Sequence, residues 1–119
     1  MNDMKLGVIE TKFAEIIWQH EPLPSGSLVK LCQEALGWKK PTTYNVLRKL
    51  CEKRIFQNLN GIVTSRISRN DFFAMQGETL VNDGFEGSLP AFIAAFTSRK
   101  SLTPQEAAEI RRMIDAFEE

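Results

Sequence analysis

Trp38-Lys39-Lys40-Pro41-Thr42-Thr43-Tyr44-Asn45-Val46-Leu47-Arg48-Lys49-Leu50 decides the reading of this chain. Two lysines precede a proline suited to a first helical position, where its missing N–H costs nothing. Small polar residues then lead into a helix expected from Pro41 to about Arg54, with Val46, Leu47, Leu50 and Cys51 on one face. Thr42, Asn45, Lys49 and Lys53 fall largely on the other side, with Thr43, Tyr44 and Arg48 on the flanks. Residues 39–54 hold six basic side chains and one acid, so the polar face is cationic rather than mixed.

The next stretch, Ile55-Phe56-Gln57-Asn58-Leu59-Asn60-Gly61-Ile62-Val63-Thr64, predicts a β-hairpin. Asn-Gly is the preferred pair for a two-residue type I′ turn, because both positions need positive φ. The second arm is β-branched and runs on through Ser65, Arg66, Ile67 and Ser68. A third short helix that is cationic and is followed at once by a hairpin is the outline of a winged helix-turn-helix, a fold that reads duplex DNA. The expected class is mainly α with a small β-hairpin wing.

Upstream, Ile9, Phe13, Ile16 and Ile17 recur at helical spacing and predict a first helix to about Gln19, with Trp18 beside the stripe. Pro22 and Pro24 end it. Ser25 or Ser27 offers an N-cap for a second helix, roughly 26–36, which Gly37 closes. Cys32 and Cys51 fall at apolar-face positions and read as buried reduced thiols.

Composition changes after Ser68. Ser68 and Asp71 form a helix start, and Gly84 and Gly87 mark its end, with the helix expected over 69–82. Ser88 with Pro90 begins a fifth helix. Ser101-Leu102-Thr103-Pro104-Gln105-Glu106 begins a sixth: Thr103 caps, Pro104 takes N1 and Glu106 closes a capping box. Six of the eight phenylalanines lie in this half. Three helices in about 50 residues bury too little surface to carry that apolar content alone. A second copy of the chain is the expected cover, through Phe72, Phe73 and Leu80, then Phe85, Leu89, Phe92, Ile93 and Phe96, then Ile110, Met113, Ile114 and Phe117. The domains expected are therefore 1–68, a winged helix-turn-helix for DNA, and 69–119, a three-helix dimerisation region.

Charge divides along the same line. The formal total is zero, but residues 1–68 carry ten basic and six acidic side chains, and 69–119 carry five and nine. Local density is what phosphates feel. Lys39, Lys40, Arg48, Lys49 and Arg66 are the expected phosphate contacts. Thr42, Thr43, Tyr44 and Asn45 are the expected contacts to base edges, since threonine methyls can meet thymine methyls and asparagine can pair bidentately with adenine.

Other classes fare poorly. No run of about 18 apolar residues could span a membrane, and no signal-peptide core follows Met1, so a cytoplasmic protein without a membrane partner is expected. His20, the one histidine, sits beside Glu21-Pro22 in an expected loop, and Ser25-Gly26-Ser27 lacks the strand of a nucleophile elbow. No metal-ligand spacing or phosphate-binding glycine loop is present, so no enzyme, cofactor or metal is expected. The rival from another class is a winged-helix protein–protein interaction module without specific DNA binding. It would more naturally expose apolar residues where this helix is cationic.

With these elements placed, the chain resembles the penicillinase repressor family of transcriptional regulators from about Leu6 to Phe117. Ile17-Trp18 resembles that family's first-helix ending. Trp38 stands where the family often has an aromatic, Thr42, Leu47 and Leu50 match its Thr and Leu positions, and Lys49 replaces an Arg. The wing, the long helix, Gly87-Ser88-Leu89, a Phe-containing helix and a capped final helix follow in the family's order. The resemblance implies a homodimeric repressor of the β-lactamase type on a dyad-symmetric operator, with interlocked C-terminal helices. It also implies a sensor-protease partner that cuts between an Asn and a Phe in helix five. The matching bond is Ala95–Phe96, where Ala95 departs from the Asn. Arg54, Tyr44 and Asn45 also depart from the family pattern. Copper-responsive members carry four C-terminal cysteines, whereas no cysteine follows Cys51 here.

Overall fold

The computed structural model describes residues 5–117. It contains α1 (Val8–His20), β1 (Leu23–Pro24), α2 (Ser25–Leu36), α3 (Lys40–Glu52), β2 (Phe56–Leu59), β3 (Ile62–Ser65), α4 (Arg69–Phe85), α5 (Leu89–Arg99) and α6 (Pro104–Ala116). The mainly α winged-helix class expected from the sequence is the one observed. Two compact units, Met1–Gly77 and Glu78–Glu119, divide within α4, whereas the functional boundary read from the sequence lies at Ser68.

In the first unit, Phe13, Ala14 and Ile17 of α1, Leu28 and Cys32 of α2, and Leu47 and Leu50 of α3 are buried together with Ile55, Phe56 and Val63 of the wing. Full burial of each large side chain stabilises by about 1.5–3 kcal/mol, so this cluster fixes where α3 and the wing stand. Trp18 sits at one edge. Its indole N–H donates to the Ile67 carbonyl at 3.1 Å, and its ring meets Phe56 at 5.4 Å and Phe72 at 5.5 Å between centroids. Phe72 is 2% exposed and belongs to this core. That corrects its assignment to a dimer surface: its ring is already used inside the first unit, which is also why that unit extends beyond Ser68.

The wing is a three-stranded antiparallel sheet in the order β1-β3-β2. Phe56 pairs with Ser65 and Leu59 with Ile62, and between the strands Asn60 and Gly61 take φ of 54° and 82°, as the Asn-Gly pair requires. A Cβ at Gly61 would meet nothing within 4 Å, so only backbone strain penalises a side chain there. Gly61→Ala is expected to lower stability by about 1–2 kcal/mol, read as a drop of a few degrees in melting temperature. An unchanged melting temperature would show that the turn is not held in this form.

β1 is an addition to the expected hairpin. Leu23 pairs with Val63 and Pro24 with Ile62. The two prolines do end α1, but a two-residue strand carries no alternation by which to see it. Pro24, not a serine, occupies the N-cap of α2, without a side-chain cap. His20 is the last residue of α1 rather than a loop residue, and its Nδ1–H donates to the Ile16 carbonyl at 2.9 Å. α4 runs to Phe85, three residues past its expected end, because a single glycine such as Gly84 is tolerated inside a helix at about 1 kcal/mol. The stop comes at Glu86 and Gly87, both at positive φ.

Arg69 clamps Glu15 bidentately, Nε to Oε1 at 2.6 Å and Nη2 to Oε2 at 2.9 Å. The hydrogen bond from Arg69 holds the Glu15 carboxyl below its ordinary value of 4.5. A carboxyl lowered in the folded state adds stability above its unfolded pKa and loses it as pH falls through the folded value. Acid titration of Glu15→Gln should therefore show a slightly flatter loss of stability below about pH 4.5 than the parent. Identical slopes would show that the pair is not populated in solution.

In the second unit, Ser88 Oγ accepts from Ala91 N at 3.1 Å. Thr103 and Glu106 form the expected reciprocal box, each bond 3.0 Å. Phe85 meets Phe92 edge-to-face at 5.6 Å between centroids, and Phe92 meets Phe96 at a tilt at 5.9 Å.

Candidate nucleic-acid interface

α3 presents its face as the burial pattern dictates. Leu47 and Leu50 are fixed in the core, and this turns Thr42, Asn45, Arg48 and Lys49 outward, all exposed, with Lys39 and Lys40 exposed at the helix start. Among the described residues none of these cations is in an ion pair. Arg48 Nη2 makes only a long 3.4 Å contact to Asn45 Oδ1. Thr42 and Asn45 lie exposed among these cations on the same helix. Lys53 is turned elsewhere: its Nζ donates to the Lys5 carbonyl at 3.0 Å. Arg66 is exposed just after β3, held by its backbone N–H to the Ile55 carbonyl at 2.7 Å.

Two of the residues expected at base edges stand differently. Thr43 is wholly buried, and its hydroxyl has no hydrogen-bond partner of good geometry. It sits near the Cys32 thiol, which burial pushes up and the Thr43 hydroxyl partly draws back. Thr43 therefore packs α3 into the core and does not face a ligand. Tyr44 is half-buried, and its hydroxyl donates to Ser25 Oγ at 3.0 Å, so its polar end is turned to α2. Tyr44, Leu47, Arg48, Cys51 and Asn58 line a hollow of about 370 Å³ between α3 and β2. Cys51 is half-buried there, its thiol pushed up by burial and then by Glu52.

Sequence reasoning missed Asn58, which is exposed on the wing beside this hollow. It also missed Leu59 and Ile62, opposed and exposed at the wing tip. The β-alternation that buries Phe56 and Val63 was the available signal for Leu59 and Ile62, whereas Asn58 shares the face of Phe56 and had no such signal.

The family model for penicillinase repressor matches residues 6–116, nearly the whole chain. The chain belongs to the penicillinase repressor family. A curated relative, a penicillinase repressor from Bacillus licheniformis, is 19% identical over 115 residues, covering 89% of this chain and 86% of the relative. As a member of the penicillinase repressor family, the chain is a DNA-binding transcriptional repressor with a winged helix. That family is not one of enzymes. No described helix is long and apolar enough to cross a membrane.

The second unit carries a different kind of surface. No described side chain from Glu78 onward is fully buried. Met113 and Ile114 are each 57% exposed and Phe117 is 85% exposed. Leu80, Leu89, Ile93, Phe96 and Ile110 are exposed as well. Phe92, Ile93, Phe96, Thr97, Leu102 and Ile110 line an apolar hollow of about 230 Å³. Ala95 and Phe96 lie inside α5.

Proposed function

We propose that this repressor acts as a homodimer on a dyad-symmetric operator. One winged helix reads each half-site, and the second units pack against one another. The observation that carries the DNA reading is the row of unpaired, exposed cations on α3, Lys40, Arg48 and Lys49, with Thr42 and Asn45 between them. Lys39 and Arg66 extend the phosphate footprint at either side. Large exposed apolar side chains on α5 and α6, in a unit with no fully buried side chain among its described residues, support a second copy as the cover, since monomeric proteins rarely expose such patches. Two-fold symmetry of the protein then matches half-sites about one helical turn apart. Repression follows by occupying a promoter and needs no chemistry. The residues proposed for dimer contact are those of the apolar faces above, without Phe72. Domains for DNA (1–68) and dimerisation (69–119) describe this division of work. Release by a sensor protease at Ala95–Phe96 fits the same reading, and because that bond is helical, cutting it requires α5 to open locally.

Fluorescence anisotropy tests the reading with the intergenic DNA upstream of the chain's own gene, against a scrambled duplex, over a salt series. Salt-sensitive binding that prefers the native duplex is expected. Equal binding to both, or none at low salt, would overturn specific recognition. One observation favours a second reading, a protein-interaction module: Leu59 and Ile62 make an apolar wing tip. Early elution from heparin at every salt concentration would select it.

A further inference from the structure

The four residues between α1 and α2, Glu21 to Pro24, together with Ser25 at the start of α2, touch both parts of the proposed DNA-reading surface. The Glu21 carboxylate accepts the Ser65 backbone N–H at 2.7 Å, and both its oxygens lie 2.8 Å from the Ser65 hydroxyl that donates to them. Leu23 and Pro24 form the strand that pairs with β3. Ser25 N–H donates to the Gly61 carbonyl at the wing turn at 2.8 Å. On the other side, the Tyr44 hydroxyl of α3 donates to Ser25 Oγ. The wing is thus held at its base by Glu21 and at its tip by Ser25, and Ser25 is also bonded to α3.

We infer that this segment is a strap that makes α3 and the wing read DNA as one unit, and that Glu21 is its positioning residue. The inference rests on the DNA-reading proposal above. An acid beside a DNA-binding surface is electrostatically unfavourable and lowers affinity for phosphates. Glu21 is tolerable there because its oxygens are occupied by Ser65. Its neighbour in the wing, Arg66, is the proposed phosphate contact that Ser65 places. Charge and position make opposite forecasts: removing Glu21 raises affinity for any duplex if only charge counts, and degrades discrimination if the strap counts.

The test compares the full chain, Glu21→Ala and Glu21→Gln on two duplexes, one selected from a randomised pool by the parent protein and one scrambled. Glutamine can keep the Ser65 bonds through its amide without the charge. The expected result is that Glu21→Ala reduces the ratio of specific to scrambled affinity about tenfold, the size of one lost charge-assisted hydrogen bond. Glu21→Gln restores most of that ratio. Arg66→Ala added to Glu21→Ala costs less than it does alone, whereas Lys40→Ala costs the same in both backgrounds. Measurements are made well below the melting temperature of each variant, so a loss of stability alone leaves the ratio unmoved. Alanine and glutamine variants that behave alike, or additive effects with Arg66, would overturn the strap while leaving the DNA reading intact. A parent protein that selects no preferred duplex would overturn both.

Discussion

Replacing Lys40, Arg48 and Lys49 together by alanine should flatten the salt dependence of operator binding and lower affinity by orders of magnitude. The three side chains are exposed and outside any ion pair among the described residues, so their removal leaves the core of α3 untouched. Each phosphate contact contributes a slope of about −0.9 in log affinity against log salt. In a dimer the substitution is made twice, so the slope should fall by about five units, with most of the nonspecific binding lost as well. Circular dichroism should show an unchanged fold. A variant that keeps the parent slope would mean that DNA, if bound, meets another face.

The second large effect concerns assembly. Ile114 and Phe117 are 57% and 85% exposed within one chain, so glutamates there remove nothing that the isolated protomer uses. Ile114→Glu with Phe117→Glu should shift sedimentation from the mass of two chains to that of one. Operator affinity should then drop about a hundredfold or more, because the second half-site loses its effective concentration. A parent protein already sedimenting as one chain would remove the dimer from the proposal. A double variant that stays dimeric would move the interface to another face.

Where the sequence was informative, a local rule had one solution. Asn60-Gly61 has only one good turn, and Thr103-Pro104-Gln105-Glu106 is a helix start that needs no tertiary help. The cationic face of α3 followed from the spacing of Leu47 and Leu50, which the core confirms. The failures came where tertiary packing overrode residue type. Thr43 is polar and lies beside outward residues, yet the contact between α2 and α3 places it in the core. Phe72 belongs to a helix read as wholly interfacial, but Trp18, far away in sequence, takes its ring. The Glu21–Ser65 bonds join positions 44 residues apart, and no periodicity announces such a pairing. For the interface, the exposed cations were legible and the residues that hold them in register were not.

The exposed apolar faces of α5 and α6 have a consequence for how a cell would experience this regulator. On the proposed assembly, a unit with no fully buried side chain among its described residues gains its core by meeting its copy, so folding and pairing of that unit are one equilibrium. Occupancy of the operator then rises with the square of chain concentration while most chains are single. Gene output would change over a narrower range of repressor supply than a single-chain binder permits, and modest turnover of the chain would suffice to switch it.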